Sequence, residues 1–556
     1  MLIIFQDTFV RVTEQRTDEI QSAFRGNRRM PQVHTIPSQY YKDPHSLFLY
    51  LYQKPFFDHI LLATNDRLKS KLPNEEPITM KELVNYFAID HLAKDGFLKS
   101  AHVEFNRWWP TINDQAKIIC KKDLNLTLTR KRFFVIAKYL ESGIDIPLVD
   151  KKIKEGSKLV TKMKNGQPVK IHDLNQKLDV IIDNLNKTWI KYKNPGNDSR
   201  AFCLDESFRK TFSKWDFLKT YMPSKPDPYG QKYQCLVDED FYLHRLAFDH
   251  SQQFARWQGT KGLIDFMLPD QYKYQGCTLT ADNYYNTWDS LLMLHSQGTA
   301  LVGTMRKNSA GKVMGHALVK NLTKSVPKKD FRRKFELFER EIDREQYGPN
   351  QFVQLGFFTD KRNKCVIMCT NDARLFLTRE NGHVSKSLGP VEKPEIVRFY
   401  NNTKHFVDEM DRQLSHYSCA RAFRNGNPTR RFISNLWDYC MHNCFILFRK
   451  NYELPLNRDH KYAVMDRLGT LRSEFYFQAL FSLIGFKPDL PSLPSTLHDL
   501  PHCGPFTTLK DCEIVDPPHP KRARTAYKCG LCQKHICKRD QVLLCPNCYR
   551  DKTQYL

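Results

Sequence analysis

No apolar run in this 556-residue chain is long enough to span a bilayer, which needs about 20 residues. The opening Met1-Leu2-Ile3-Ile4-Phe5 is apolar, but Gln6 and Asp7 break it. It lacks the basic start and the longer apolar stretch of a secretory signal. These absences argue against a membrane partner and for an intracellular protein with reduced cysteines. Acidic residues are also short: 61 Asp plus Glu stand against 86 Lys plus Arg, a formal charge of +25. That surplus makes a polyanion, above all nucleic acid, the expected partner. The length exceeds what one core supports, and a prior of about 150 residues per domain gives three or four units.

What the chain does have is cysteine, and most unevenly placed. Of sixteen, five crowd into the tail, while others such as Cys203, Cys235 and Cys277 stand alone in apolar contexts. A lone cysteine there behaves as a small buried hydrophobe. The tail pattern is Cys529-x2-Cys532, Cys537, then Cys545-x2-Cys548. A Cys-x2-Cys pair sets two sulfurs on one tight knuckle, and two knuckles make a tetrahedral thiolate site. Cys529, Cys532, Cys545 and Cys548 could close one Zn²⁺ site. A second would use Cys537 with Asp540 and a ligand such as His519, His535, Cys503 or Cys512. Prolines from Pro488 to Pro520 disfavour helix and sheet and mark a linker to this module. Between them, Lys521-Arg522-Ala523-Arg524 offers charge for phosphates or a nuclear address, so the expected compartment is the nucleus.

Patterning divides the rest. Residues 1–44 carry charge and turn formers with little periodicity and read as a loosely ordered arm. Helical periodicity follows to about residue 195. Thr79 and Glu82 form a capping box, with Ile78 and Leu83 as the hydrophobic staple across it. A second helix fits Thr129 to Leu140, burying Phe133, Ile136, Ala137 and Leu140. The basic stretch from Lys151 to about Lys170 reads as an exposed hairpin or loop. Strands then fit Tyr233–Val237, Phe241–Phe248, Cys277–Ala281 and Thr299–Thr304, and a hairpin fits Phe352–Phe358 with Lys364–Thr370. A helix fits Trp288 to Leu294, with Gly298 at its C-cap. Helices return at about 403–419 and 432–448. Strands first and helices later argue for an α/β or α+β core.

Three acidic positions read as junctions between elements. Asp205 ends a short apolar segment, Asp282 follows the strand ending at Ala281, and Asp408 shares one helical face with Asp411. Carboxylates arranged so can converge on Mg²⁺, which prefers hard oxygen ligands. A pair of such ions about 4 Å apart activates the attacking oxygen and stabilises the leaving one in phosphoryl transfer. Helix capping or simple surface charge would leave the same pattern.

The strings around these aspartates resemble the motifs of piggyBac-type transposases. Leu204-Asp205-Glu206-Ser207 is similar to the first-aspartate motif, followed by Tyr221-Met222-Pro223-Ser224-Lys225-Pro226 and Tyr229-Gly230-Gln231-Lys232. Thr280-Ala281-Asp282-Asn283-Tyr284-Tyr285 resembles the second, with Val302-Gly303-Thr304-Met305-Arg306-Lys307-Asn308 downstream. Tyr400-Asn401-Asn402-Thr403-Lys404 with Val407-Asp408 and Met410-Asp411 resembles the third. The motifs run in order from about residue 45 to 450. Three elements depart from the family: Phe208-Arg209-Lys210 stands where it has Phe-x-Gly-Arg, His405-Phe406 where it has two glycines, and Asn427-Pro428-Thr429-Arg430-Arg431-Phe432 where it has an Arg-Trp-Pro-like element.

The resemblance implies a multidomain protein with an α/β RNase H-like catalytic core. It implies an arm (1–44), a helical DNA-binding and dimerisation domain (45–195) and a core in two parts (196–304 and 396–455). An insertion domain (305–395), a helical segment with linker (456–515) and a cysteine-rich zinc-binding cross-brace domain (516–556) complete it. It further implies that Asp205, Asp282 and Asp408 hold Mg²⁺ or Mn²⁺, with Asp411 supporting them. Cleavage at TTAA, hairpin formation and strand transfer follow from the same likeness. Double-stranded DNA and a second copy of the chain are the expected partners. Lys404, Arg421, Arg424, Arg430, Arg431, Lys521, Arg522 and Arg524 are the candidate DNA contacts. The alternative is a domesticated descendant, either an endonuclease for programmed DNA rearrangement or an inactive DNA- or chromatin-binding protein.

Overall fold

The computed structural model describes residues 10–11, 30–94, 128–142, 163–164, 167–168, 174–195, 200–211, 216, 218–249, 257, 259–324, 335–342, 352–359, 364–372, 378–379, 384–385, 389–390, 393–419, 428–449, 461–484, 510–511, 524–525, 527–528 and 535–536. After a two-residue strand β1 (Val10–Arg11) come helices α1 (Pro44–Tyr52), α2 (His59–Lys71), α3 (Met80–Lys94), α4 (Arg130–Tyr139) and α5 (Leu174–Tyr192). The capping box forms as its residues require. The Thr79 N–H donates to Glu82 Oε2 (2.8 Å), and the Glu82 N–H donates to Thr79 Oγ1 (3.2 Å). Ile78 and Leu83 are both buried across it. Thr129 caps α4 by accepting from the Arg132 N–H at 3.2 Å. The Arg132 guanidinium then bridges Glu82 (2.7 Å) and Glu75 (3.1 Å), tying α4 to the start of α3.

A long mixed sheet follows. Its strands are β2 (Ala201–Lys210), β3 (Thr220–Tyr221), β4 (Tyr229–Asp238), β5 (Leu243–Phe248), β6 (Thr278–Ala281) and β7 (Ala300–Thr304), with α6 (Thr260–Met267) and α7 (Trp288–Ser296) between. Beyond α8 (Lys307–Met314) and α9 (His316–Leu322) come β8 (Phe335–Glu341), β9 (Phe352–Thr359) and β10 (Cys365–Thr370). Helices α10 (Glu395–Thr403), α11 (Phe406–His416), α12 (Pro428–Arg449) and α13 (Lys461–Leu483) end the larger elements. The spatial order is β1-β8-β9-β10-β7-β6-β2-β4-β3, with β5 also on β4. β2 pairs antiparallel with β4, and β4 with β5, whereas β6 and β7 run parallel to β2. β8, β9 and β10 are antiparallel and continue the same sheet from β7. The expected hairpin across residues 360–363 is the β9–β10 pair.

Alternation along β2 sends successive side chains to opposite faces. Ala201 and Cys203 join the core shared with the N-terminal helices, α11, α12 and α13. Phe202 and Leu204 join the other core, with α6, α7 and β7 to β10. The sheet is thus the middle of three layers. Cys203, Cys235 and Cys277 are buried, as their apolar contexts predict. Helix α12 is buried on nearly every side, which makes it an internal helix rather than an amphipathic surface one. Trp437 on α12 lies among Phe48, Phe57 and Phe87, with ring centroids at 4.8, 5.9 and 5.2 Å. Sequence-distant helices therefore share one aromatic core.

The free edge of β5 is closed by two asparagines. Asn186 on α5 accepts from the Leu246 N–H (2.8 Å) and donates to its carbonyl (2.9 Å). Asn443 on α12 does the same for Leu243, at 3.0 and 2.8 Å. An amide side chain mimics a neighbouring strand in this way and blunts an exposed edge. The arm before α1 is docked at two points: the His34 N–H donates to the Lys191 carbonyl (2.9 Å), and Asn194 donates to the Pro31 carbonyl (2.6 Å). No helix among the described residues is long and apolar enough to cross a membrane. The tail cysteines, Asp540, His519, Lys521 and Arg522 lie outside the described residues, as do Arg421 and Arg424.

Candidate active site

Asp205 is not at the end of an element, contrary to the junction expected from its flanks. It sits in the middle of the ten-residue strand β2. The apolar flank Phe202-Cys203-Leu204 alone looked like the whole strand; the polar continuation Glu206-Ser207-Phe208-Arg209 is equally strand, because β4 pairs with it through Lys210. Asp282 does stand at a junction, one residue past β6. The parallel register pairs Leu204 with Ala281, so Asp205 and Asp282 come side by side on neighbouring strands, which lie about 4.8 Å apart.

The third motif reaches the same place through α11, which packs on β2. Asp411 accepts a hydrogen bond from Ser207 Oγ at 2.6 Å, two residues along β2 from Asp205 and on the same face. Asp408 lies one turn earlier, exposed in the first turn of α11, where the helix dipole favours negative charge. Val407, Met410 and Leu414 turn inward, as the helical spacing predicts. His405 and Phe406 replace a glycine pair without strain. His405 has φ −98°, and neither residue has a positive φ, so the backbone asks for no glycine here. Phe406 instead fills the core against Phe241, with ring centroids 6.1 Å apart.

The second aspartate is held by a tight turn. The Tyr284 N–H donates to Asp282 Oδ1 at 2.8 Å. Buried Asn286 donates to the Ala281 and Thr304 carbonyls, both at 2.9 Å, and so staples the ends of β6 and β7 together. Gly303 makes room for that amide. Thr280 on β6 and Thr403 on α10 share a 2.7 Å hydrogen bond.

Burial raises three carboxyls of this cluster. Burial pushes the Asp205 carboxyl up to about 8, and the Glu206 and Asp282 charges add to the rise. Asp282 is raised by burial and by Glu206, with Arg306 opposing. Burial lifts Asp411 to about 6, against the pull of Arg209. Among the described residues, none of Asp205, Asp282 and Asp408 has a Lys or Arg ion-pair partner within 4 Å. Asp205 and Asp282 are half-buried and Asp408 is exposed, and their hard oxygen donors, unpaired with any such cation, fit a divalent cation of the Mg²⁺ type. As a set, the oxygens of Asp205, Asp282 and Asp408 are spread wider than 4.8 Å.

Among the described residues, one group does fall within that distance: His91, Cys419 and Asp438, all buried. It does not suit a metal. Trp437 Nε1, which can only donate, gives its proton to His91 Nδ1 at 2.7 Å. The ring's own proton then sits on Nε2, leaving no nitrogen lone pair for a metal. Asp438 is already paired with Arg209 at 2.8 Å and accepts from Ser418 and from the Cys419 N–H. This is a buried hydrogen-bonded cluster behind the site. Removing one partner of a buried pair strands the other charge, at a cost of about 3–5 kcal/mol. Arg209→Ala is expected to lower unfolding stability by that amount, read by denaturant titration; a change below about 1 kcal/mol would contradict the buried-pair account.

The candidate cations divide sharply. Lys404 is exposed, its amine 5.2 Å from the Tyr400 ring centroid. Arg430 points inward and pairs with buried Asp90 at 2.6 Å. Arg431 is buried, 4% exposed, and burial lowers its pKa. Arg524 lies in a two-residue strand. Arg306 was not singled out from sequence, yet it is exposed, close enough to Asp282 to lower that group's pKa, and hydrogen-bonded to Asn283 at 3.3 Å. Ser207, Arg209 and Tyr439 were missed as well. The only sequence signal for the first two is the period-two spacing from Asp205.

Comparison with known proteins bears on this geometry. The family model described as Transposase IS4 matches residues 43–445. A cryo-EM structure of a piggyBac transposase synaptic complex with hairpin DNA aligns with TM-score 0.53 and 18% sequence identity, covering 91% of this chain and 97% of that one. No curated protein matches the sequence. At that identity the structural likeness speaks for the fold, and the span of the family match includes the positions of all four aspartates.

Proposed function

Since the chain belongs to the Transposase IS4 family and shares the fold of a piggyBac transposase, we propose that it cuts and rejoins double-stranded DNA at transposon ends with TTAA targets. The observation that carries this reading is the gathering of Asp205, Asp282, Asp408 and Asp411 from three distant stretches of chain onto one end of the parallel strands. The order β5-β4-β2-β6-β7, antiparallel then parallel, supports an RNase H-like core. Strands β8, β9 and β10 extend that sheet and belong to the proposed insertion.

Asp205, Asp282 and Asp408 are the residues that would hold Mg²⁺ or Mn²⁺, with Asp411 in support. The bound ions would supply Lewis-acid polarisation of phosphate and stabilise the leaving oxygen. The chain's own part is positional. β2 and β6 fix two carboxylates at strand spacing, α11 brings the third, and Asn286 locks the turn that carries Asp282. Exposed Arg306 and Lys404 flank the carboxylates and would meet phosphates. Hairpin formation and strand transfer use the same site in this reading, and a second copy of the chain would bring two DNA ends together. In the altered segment, the first turn of α12 from Pro428 directs Arg430 and Arg431 inward, so base-holding at the hairpin step would fall to other residues.

Purified protein with Mg²⁺ is expected to nick or hairpin a duplex end bearing TTAA, and Asp282→Asn to lose that activity. Equal cleavage by the variant would remove Asp282 from the site. No cleavage by the parent protein on any such end, with DNA binding retained, would favour a domesticated DNA-binding protein. The cysteine-rich tail is proposed to bind one or two Zn²⁺ through Cys529, Cys532, Cys545 and Cys548, with Cys537, Asp540 and His519 at the second site. Elemental analysis should find about one or two zinc ions per chain, falling by about one in Cys545→Ser. Zinc-free protein at full solubility would remove this assignment. Nuclear location is proposed from Lys521-Arg522-Ala523-Arg524.

A further inference from the structure

We infer that Ser207, backed by Tyr439, is a positioning residue that fixes the carboxylate of Asp411 for the metal-binding set. This rests on the proposed function above, but its geometry stands independently. Ser207 is wholly buried and its Oγ lies 2.6 Å from Asp411 Oδ1 and 2.6 Å from the Tyr439 hydroxyl. Ionised Asp411 can only accept, so Ser207 donates to it. The single serine proton is then spent, and the Tyr439 hydroxyl must donate to Ser207. The result is a directed chain, Tyr439 to Ser207 to Asp411, in which each bond polarises the next.

The chain links three elements, α12, β2 and α11. It leaves Asp411 Oδ2 without a protein partner among the described residues. The Arg209 guanidinium lies 5.7 Å from the Tyr439 ring centroid and pairs with Asp438, the residue before it. Three successive inward positions of β2 thus have distinct tasks. Asp205 offers a ligand, Ser207 orients Asp411, and Arg209 anchors the helix that carries Tyr439. The groups that face Asp411 are Arg209 on β2, Asp408 on α11, Lys225 before β4, Cys235 on β4 and Tyr439 on α12. Ser207 and Tyr439 are the hydroxyls among these elements joined to it by the chain.

The test measures Mn²⁺ affinity of the full chain by paramagnetic resonance, alongside cleavage of a TTAA duplex end. Residues that orient ligands typically change metal affinity about 10- to 100-fold. Ser207→Ala is expected to weaken Mn²⁺ binding about 10-fold and Tyr439→Phe about 3-fold. Ser207→Thr, which keeps the hydroxyl on a branched residue suited to a strand, is expected to restore affinity. DNA-end binding in a chelator should be the same for all. Unchanged Mn²⁺ affinity in Ser207→Ala or in Tyr439→Phe, whichever is folded, overturns the inference, as does failure of Ser207→Thr to restore it. Weakened Mn²⁺ binding in variants of a parent that cuts no DNA upholds the inference and refutes the nuclease reading instead.

Discussion

Asp205→Asn is expected to abolish DNA cleavage and, in the same protein without metal, to raise the melting temperature. The two effects share a cause. Burial and the Glu206 and Asp282 charges lift the Asp205 carboxyl from its ordinary 3.8 to about 8. A raised carboxylate pKa means that the fold favours the protonated form. The penalty is absent below about pH 4, grows as pH rises, and is complete above about pH 8. Metal-free protein should therefore melt higher at pH 6 than at pH 8, by about 2 °C or more. Asparagine keeps the Oδ1 acceptor used by the Glu206 N–H (2.8 Å) and removes the charge, so the variant should lose this pH dependence. It also removes an anionic ligand, and a loss of cleavage of about 1,000-fold or more is expected on the scale of a missing transition-state charge stabiliser. Calorimetry and a gel assay read the two arms. A melting curve of Asp205→Asn that matches the parent at pH 8 would show that no such strain is stored.

Gly303→Ala is the second large effect, although residue 303 carries no functional group. An ideal Cβ there would lie 1.9 Å from Asn286 Nδ2 and 2.1 Å from the Ala281 carbonyl oxygen. Neither neighbour moves cheaply. The carbonyl is backbone, and Asn286 is the staple between Ala281 and Thr304. Either shift displaces the turn that begins at Asp282. A displacement of about 1 Å at a reacting centre costs on the order of 100-fold. Cleavage by Gly303→Ala is expected to fall by that factor while DNA-end binding persists. Cleavage within about threefold of the parent would mean that the turn is not the determinant.

How much of this was legible beforehand depended on distance along the chain. The capping box at Thr79 and Glu82, the helix after Thr129 and the inward trio of α11 were readable because their partners lie within three or four residues. The buried state of Cys203, Cys235 and Cys277 followed from apolar neighbours in the same way. The four aspartates were selected by resemblance, since spacing only made them possible. Their flanks gave too short a strand for Asp205, because β2 owes its polar half to pairing with β4 and to Asp411 and Asp438 beneath it.

The sequence by itself thus determined the local elements, the cationic excess and the order of the acidic motifs, all set by neighbours in the chain or by composition. Only the tertiary structure decided which charges meet. Arg430 and Arg431 looked like twin surface cations, but α12 is an internal helix, so one pairs with Asp90 and the other is buried. Ser207 looked like a flank of Asp205 and became the donor to Asp411, 204 residues away. The reason is physical. A strand fixes the direction of every second side chain, but what lies in that direction is chosen by long-range packing of helices onto the sheet.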